Sequence, residues 1–197
     1  MRTLARLSAF ASALLLAGCT TTYVSPVEVT RFTGDRPQVL GAGPIAVRAG
    51  SGVAQDSLEL NVFRDAVARQ LQQLGYVIIN GDAPQIAEVT VDQFVEQPGY
   101  HNSPVSVGGG VAGGSYGSSA GVGIGIDLTP RPSERVHREL RVMIMPAEGG
   151  TALWEGRARF SASANSSFAD TQTAATKLAG ALFGGFPGQS GETIEVR

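Results

Sequence analysis

The chain is poor in the side chains that build covalent cross-links and metal sites. Its 197 residues include one cysteine, Cys19, and two histidines, His101 and His137. A single cysteine excludes an intrachain disulfide, so a core must hold the fold. Neither histidine has a partner at ligand spacing, and no metal or other cofactor is expected. Charged residues make up only 16% and the formal net charge is −2, with arginine supplying 14 of the 15 basic residues. That balance gives no reason to expect a nucleic-acid partner. After Cys19 no apolar run approaches the ~20 residues that a membrane-spanning helix needs.

The first residues carry a targeting pattern instead. Arg2 and Arg6 precede the apolar run Leu7 to Ala17, interrupted only by Ser8 and Ser12. A run of that length reads as the hydrophobic region of a signal peptide, so residues 1–18 are excluded from fold reasoning. Without them 13 basic face 17 acidic side chains, a formal −4. The run ends in Leu16-Ala17-Gly18-Cys19. These four residues resemble the lipobox of bacterial lipoproteins. The resemblance implies cleavage between Gly18 and Cys19, a diacylglycerol thioether on Cys19, and acylation of its new amine by a palmitate-type chain. Two or more acyl chains anchor a protein stably where one gives only marginal binding. Thr20 stands where an Asp would favour inner-membrane retention, which points by analogy to the outer membrane, facing the periplasm. The alternative is an ordinary secretory signal with a chance cysteine.

Residues 19–26 are then a lipid-anchored tether, and 27–197 a single domain. Val27 to Phe32 and Pro44 to Arg48 predict strands. Ser57 to Leu74 predicts a helix, with Phe63, Ala66, Val67, Leu71 and Leu74 in one stripe, an Asp56/Glu59 capping box, and Gly75 after its end. Ile86 to Glu96 alternates as a half-buried strand. Val136 to Met145 and Ala152 to Ala162 predict a hairpin around Glu148-Gly149-Gly150. A three-residue loop would set Ile144 opposite Trp154, Val142 opposite Gly156, Leu140 opposite Ala158 and Arg138 opposite Phe160. Arg141 then meets Arg157, a conflict that neighbouring glutamates relieve. Phe168 to Phe183 predicts a second helix with the stripe Ala174, Ala175, Leu178, Ala179 and Leu182, begun near Asp170 and ended by Gly184-Gly185. Thr193 to Val196 is either an edge strand or a tail.

The glycine-rich insert 105–128 is the odd region. Glycines recur every four residues from Gly109 to Gly125, yet so many would cost a helix about 1 kcal/mol each. Val122, Ile124, Ile126 and Leu128 alternate with Gly121, Gly123, Gly125 and Asp127, so two strands around a Gly-Ser-Tyr tip at 112–120 are expected. A disordered loop and a membrane-inserting or zipper element are the alternatives.

Motifs of catalysis fail on context. Gly113-Gly114-Ser115-Tyr116-Gly117 and Gly117-Ser118-Ser119-Ala120-Gly121 match the nucleophile-elbow pattern, with Asp127 and His137 following in hydrolase order, but the elbow needs a strand before it and a helix after it. Gly108 to Gly113 fits a dinucleotide fingerprint but opens no helix. One charge cluster remains: Arg131, Arg135, Arg138 and Arg141 with His137, opposed by Glu134 and Glu139. It is a candidate partner-binding patch for phosphate or carboxylate on an envelope protein or cell-wall polymer, or else a solvated strand face.

Leu58-Glu59-Leu60, Ala68-Arg69-Gln70-Leu71 through Leu74-Gly75-Tyr76, and Leu153-Trp154-Glu155-Gly156-Arg157-Ala158 together are similar to the family called domain of unknown function 4136. The likeness implies a Gram-negative envelope lipoprotein with a periplasm-facing α+β domain, and it carries over no catalytic residue. The expected fold is α+β, a two-layer, mostly antiparallel sheet with two helices packed on one face. The expected function is that of a non-enzymatic binding or assembly module. Carriage of a lipid or other apolar ligand, with the glycine-faced strands and the alanine-rich helix forming a cleft, is the alternative, and hydrolysis the third.

Overall fold

The computed structural model describes residues 22–52, 57–97, 105–114, 117–126 and 133–197. The described residues form an α+β fold: a mixed seven-stranded sheet, two helices, and a separate two-stranded ribbon. The strands are β1 (Val27–Thr33), β2 (Gly43–Ala49), β3 (Tyr76–Ile78), β4 (Gln85–Glu96), β5 (Val105–Gly114), β6 (Gly117–Ile126), β7 (Arg135–Pro146), β8 (Trp154–Ser163) and β9 (Thr193–Val196). The helices are α1 (Leu58–Gln73) and α2 (Thr171–Phe183). The large sheet runs β3-β2-β4-β7-β8-β1-β9.

Both helices follow from local chemistry. In α1 the expected stripe residues Phe63, Ala66, Val67 and Leu71 are buried, joined by Leu60, while Leu74 of that stripe is only partly buried. Its cap is Ser57, whose Oγ accepts the Leu60 N–H at 3.3 Å, so the helix begins one residue later than an Asp56 cap would start it. Asp56 itself lies outside the described residues. Gly75 follows with φ +106°, the left-handed geometry that ends helices cheaply only at glycine. Asp170 caps α2 by accepting the Thr173 N–H at 3.0 Å. Phe168 and Ala169, expected within that helix, belong to a separate 3-10 turn, Ser167–Ala169. Ala174, Ala175, Leu178, Ala179 and Leu182 are all fully buried.

The hairpin β7–β8 has the expected register: Ile144 opposite Trp154, Val142 opposite Gly156, Leu140 opposite Ala158 and Arg138 opposite Phe160. Its ladder stops short of the expected three-residue loop, since residues 147–153 form the connection, turned by a Gly149 N–H to Pro146 carbonyl bond. Register survives a longer loop because it is set by which face carries Leu140, Val142, Ile144, Trp154, Ala158, Phe160 and Ala162, all buried. These residues, Val27 and Val29 of β1, Ala87 and Val89 of β4, and the stripes of both helices form one core cluster.

Two features differ from expectation. Tyr76–Ile78 is a strand, and β2 pairs in parallel with both β3 and β4, so the sheet is mixed, although its other four pairings are antiparallel as expected. A chain that leaves β2 through a helix returns running the same way, which a tight turn does not permit. Second, the end of the expected tether is tied to the sheet. Tyr23 N–H bonds Ser163 Oγ at 3.0 Å, Ser163 N–H bonds the Tyr23 carbonyl at 2.9 Å, and Ser25 N–H bonds the Ser161 carbonyl at 2.8 Å. Residues 193–196 resolve to an edge strand on β1.

The insert forms a ribbon, β5 against β6, with Val105 opposite Ile126 and Gly114 opposite Gly117. Residues 112–114 and 117–120, expected in the tip, belong to its strands. The second elbow motif, Gly117 to Gly121, therefore runs inside β6 with no helix following it.

Candidate functional site

The sheet face that carries the solvent-facing members of β1, β4, β7 and β8 bears an open cleft of about 880 Å³, lined by Tyr23, Glu28, Asp92, Phe94, His137, Arg141, Arg159 and neighbours. Strand alternation puts them there: the residues between the core positions of each strand must point the other way.

Most of its charges are paired with one another, Glu195 of β9 being the acid in no ion pair among the described residues. Arg159 holds Glu28 through two hydrogen bonds, at 2.7 and 3.2 Å, and these keep the Glu28 carboxyl below its ordinary range. Arg141 bonds Glu139, lies 3.5 Å from Asp92, and is raised above its usual value, chiefly by the Glu139 bond. Glu139 also lies 3.6 Å from Arg157, so one carboxylate bridges the two opposed arginines Arg141 and Arg157. At the end of β4 and β7 the imidazole of His137 stacks on Phe94, centroids 4.4 Å apart and planes within 3°, with Nε2 2.9 Å from Glu96. Phe94 remains 63% exposed beside Val95 at 48%. Arg135 lies 4.9 Å over the Tyr23 ring, itself 45% exposed. The Ser25 hydroxyl in this cleft is committed to backbone, donating to the Pro26 carbonyl and accepting the Ser161 N–H, both at 2.9 Å.

Arg138 stands apart from the expected arginine patch. Arg138 occupies a core position of β7 and is only 5% exposed, on the opposite face from Arg135 and Arg141. Its Nη2 donates to the Ala169 carbonyl at 2.8 Å, while Nε and Nη1 have no acceptor among the described residues. Burial lowers its pKa, partly offset by Glu59 and Asp170. The even-numbered position of Arg138 in the β7 alternation, opposite Phe160, already carried this outcome. Arg131 lies outside the described residues, as do His101, Gly18 and Cys19. His137, expected as a solvated residue, is instead half of an aromatic stack. Phe94 and the Glu28–Arg159 pair were missed because each is made by a strand pairing between segments distant in sequence, β4 with β7 or β1 with β8, and Tyr23 because its bonds to Ser163 of β8 bring it in.

Two further structural points bear on the site. Arg31, 5% exposed, donates to the carbonyls of Leu182, Ala181 and Gly184 at 2.9, 2.9 and 2.6 Å, closing the C-terminus of α2. The alanine face of α2, one wall of the cleft expected of an apolar-ligand carrier, is packed in the core. No described helix is long and apolar enough to cross a membrane, and the described residues contain no group of three or more metal-ligating side chains.

No protein-family model matches the chain. It is similar to an uncharacterized protein of Zymomonas mobilis, 27% identical across 95% of this chain and 84% of that one. Among solved structures, it resembles a PDZ domain protein from Parabacteroides distasonis with a TM-score of 0.50 and 14% identity. That match covers 94% of this chain but spans only 41% of the other, and it speaks to fold alone. A PelC dodecamer from Paraburkholderia phytofirmans aligns at a TM-score of 0.42 and 10% identity, over 78% of this chain and 91% of that one.

Proposed function

We propose that this chain is a lipid-anchored envelope lipoprotein of the domain of unknown function 4136 kind, held in the outer membrane by acyl groups on Cys19 and facing the periplasm. Its domain is two-layered, with α1 and α2 on one face of the sheet and the other face offered to a partner. The role is binding rather than catalysis. The observation that carries the reading is the cleft on that free face: all its acids except Glu195 are engaged by Arg141, Arg157 or Arg159, so what it mainly offers is hydrogen-bonding edges beside the exposed Phe94–His137 stack and Tyr23. An uncharged, hydroxyl-rich polymer with flat apolar faces suits that chemistry, and among envelope partners a cell-wall glycan fits better than a strongly charged ligand. Only Thr20 and Thr21 separate Cys19 from the described residues. At about 3.6 Å per extended residue, Tyr23 then lies within roughly 15 Å of the lipid attachment, so the cleft would work close to the membrane surface.

Sedimentation of the chain with purified cell-wall polymer tests the binding. Phe94→Ala with His137→Ala should reduce the bound fraction at least tenfold, with the urea midpoint unchanged. Equal sedimentation of parent and variant would remove the cleft from the account. Crosslinking in intact cells that captures one specific protein, with no glycan retention, would replace the polymer by a protein partner. For the anchor, Cys19→Ser should abolish acyl labelling and processing before residue 19; unchanged acylation and processing would refute it.

A further inference from the structure

The β5–β6 ribbon lies outside the seven-stranded sheet, and its register is strongly polarised by residue type. Val105 is paired with Ile126, Val107 with Ile124 and Val111 with Ala120, with Gly109–Val122 between them and Gly113–Ser118 ending the same set. The intervening pairs are Ser106–Gly125, Gly108–Gly123, Gly110–Gly121 and Ala112–Ser119. Because successive strand residues alternate between faces, one face of the ribbon is assigned the aliphatic residues and the other only glycine, serine and alanine. From Gln97 to Ile126 no Asp, Glu, Lys or Arg occurs, although 16% of the chain is charged. Each strand has ten residues. At about 3.3 Å per residue and a tilt near 45°, such a strand rises roughly 23 Å, close to the ~25 Å apolar band of membrane barrels.

The ribbon also leaves the domain at a telling place. It is inserted between Glu96, the last residue of β4, and Arg135, the first of β7, which are opposite each other in the ladder. Arg135 covers the Tyr23 ring. The base of the insert is therefore beside the segment that follows Cys19.

We propose that this ribbon enters the bilayer that holds the anchor, and that ribbons from several copies join edge to edge into a β-barrel. The aliphatic face would meet hydrocarbon and the glycine-serine face would line the interior. Copies are required because a lone hairpin leaves two edges of unpaired N–H and C=O groups, which hydrocarbon does not tolerate. With two strands each and the smallest such barrels having eight, on the order of four copies is the minimum. The placement near the membrane rests on the Cys19 reading; the residue alternation and the absence of charge do not.

Single cysteines in the full chain test it: Val107→Cys, Val122→Cys and Ile124→Cys for one face, Ser106→Cys, Gly108→Cys and Gly121→Cys for the other. A lipid thioether leaves no free thiol at Cys19, so the parent chain should not react with a water-soluble maleimide even in denaturant. Parent labelling would sink the anchor alone. In isolated membranes the small-residue set should label at least tenfold faster than the aliphatic set, and the two should converge within about twofold in denaturant. Equal labelling in membranes overturns the proposal. So does the same alternation in Cys19→Ser chain kept in lipid-free solution, which would place the aliphatic face against protein. Chemical crosslinking in membranes should give a ladder reaching at least four copies, lost in Ile124→Asp while the urea midpoint of the domain stays unchanged. A ladder that survives Ile124→Asp overturns the barrel.

Discussion

Gly156, at the centre of β8, is where packing is least forgiving. A Cβ there would collide with the Cη2 of Trp154 and lie 2.8 Å from both its Cζ2 and the Cδ1 of Leu182. None of these atoms can easily retreat. Trp154 is fully buried, its Nε1–H donates to the Pro187 carbonyl at 2.9 Å, and its ring packs on Phe183 and Phe186 with centroids 5.4 and 5.1 Å away. The backbone of Gly156 has no positive φ, so the penalty for alanine is steric alone. Overpacking of this kind costs about 1–3 kcal/mol. For a domain of this size each kcal/mol moves the melting temperature by ~2–4 °C, so Gly156→Ala should melt roughly 2–12 °C lower. Gly180→Ala is the control. Gly180 lies inside α2 with nothing within 4 Å of an added Cβ, so alanine should stabilise by about 0.5–1 kcal/mol. Urea titrations followed by circular dichroism measure both. A Gly156→Ala protein as stable as its parent would refute the tight seat of Trp154, and with it the β7–β8 core.

Other predictions concern charge. Arg31→Met removes three bonds to the end of α2 and should cost about 1.5–3 kcal/mol, read from the urea midpoint. Arg138→Met should by contrast fall within about 1 kcal/mol of the parent, because a buried arginine with two unmet nitrogens gives up little when an apolar chain replaces it. Asp170 is held below the ordinary carboxylate range, first by the Thr173 backbone N–H, and Glu28 by Arg159. A depressed folded pKa means the unfolded chain binds more protons in acid. The stabilisation is thus complete above pH values of about 5 and is lost as pH falls through the depressed values. Asp170→Ala and Glu28→Gln should each be less stable than the parent at neutral pH, and the gap in urea midpoint should close toward about pH 2.5. A gap that widened in acid would reverse the sign.

Short-range pattern alone determined a good deal of this protein. The stripe from Phe63 to Leu71, the alanine-rich stripe of α2 and the faces of β7 and β8 are properties of consecutive residues, since a period of 3.6 or 2 decides which side chains share a side. The Trp154 register followed from the same rule even though the loop length differed. The partners of each strand were a tertiary matter. Nothing local to Gly43–Ala49 says that it runs parallel to Tyr76–Ile78 on one side and Gln85–Glu96 on the other. Pairing β4 with β7 is what stacks Phe94 on His137 and puts Glu96 in reach. Arg138 was separated from Arg135 and Arg141 by the pleat, because its side of β7 is the buried one. Burial is a competition among all elements for one core, and only the assembled sheet settles it.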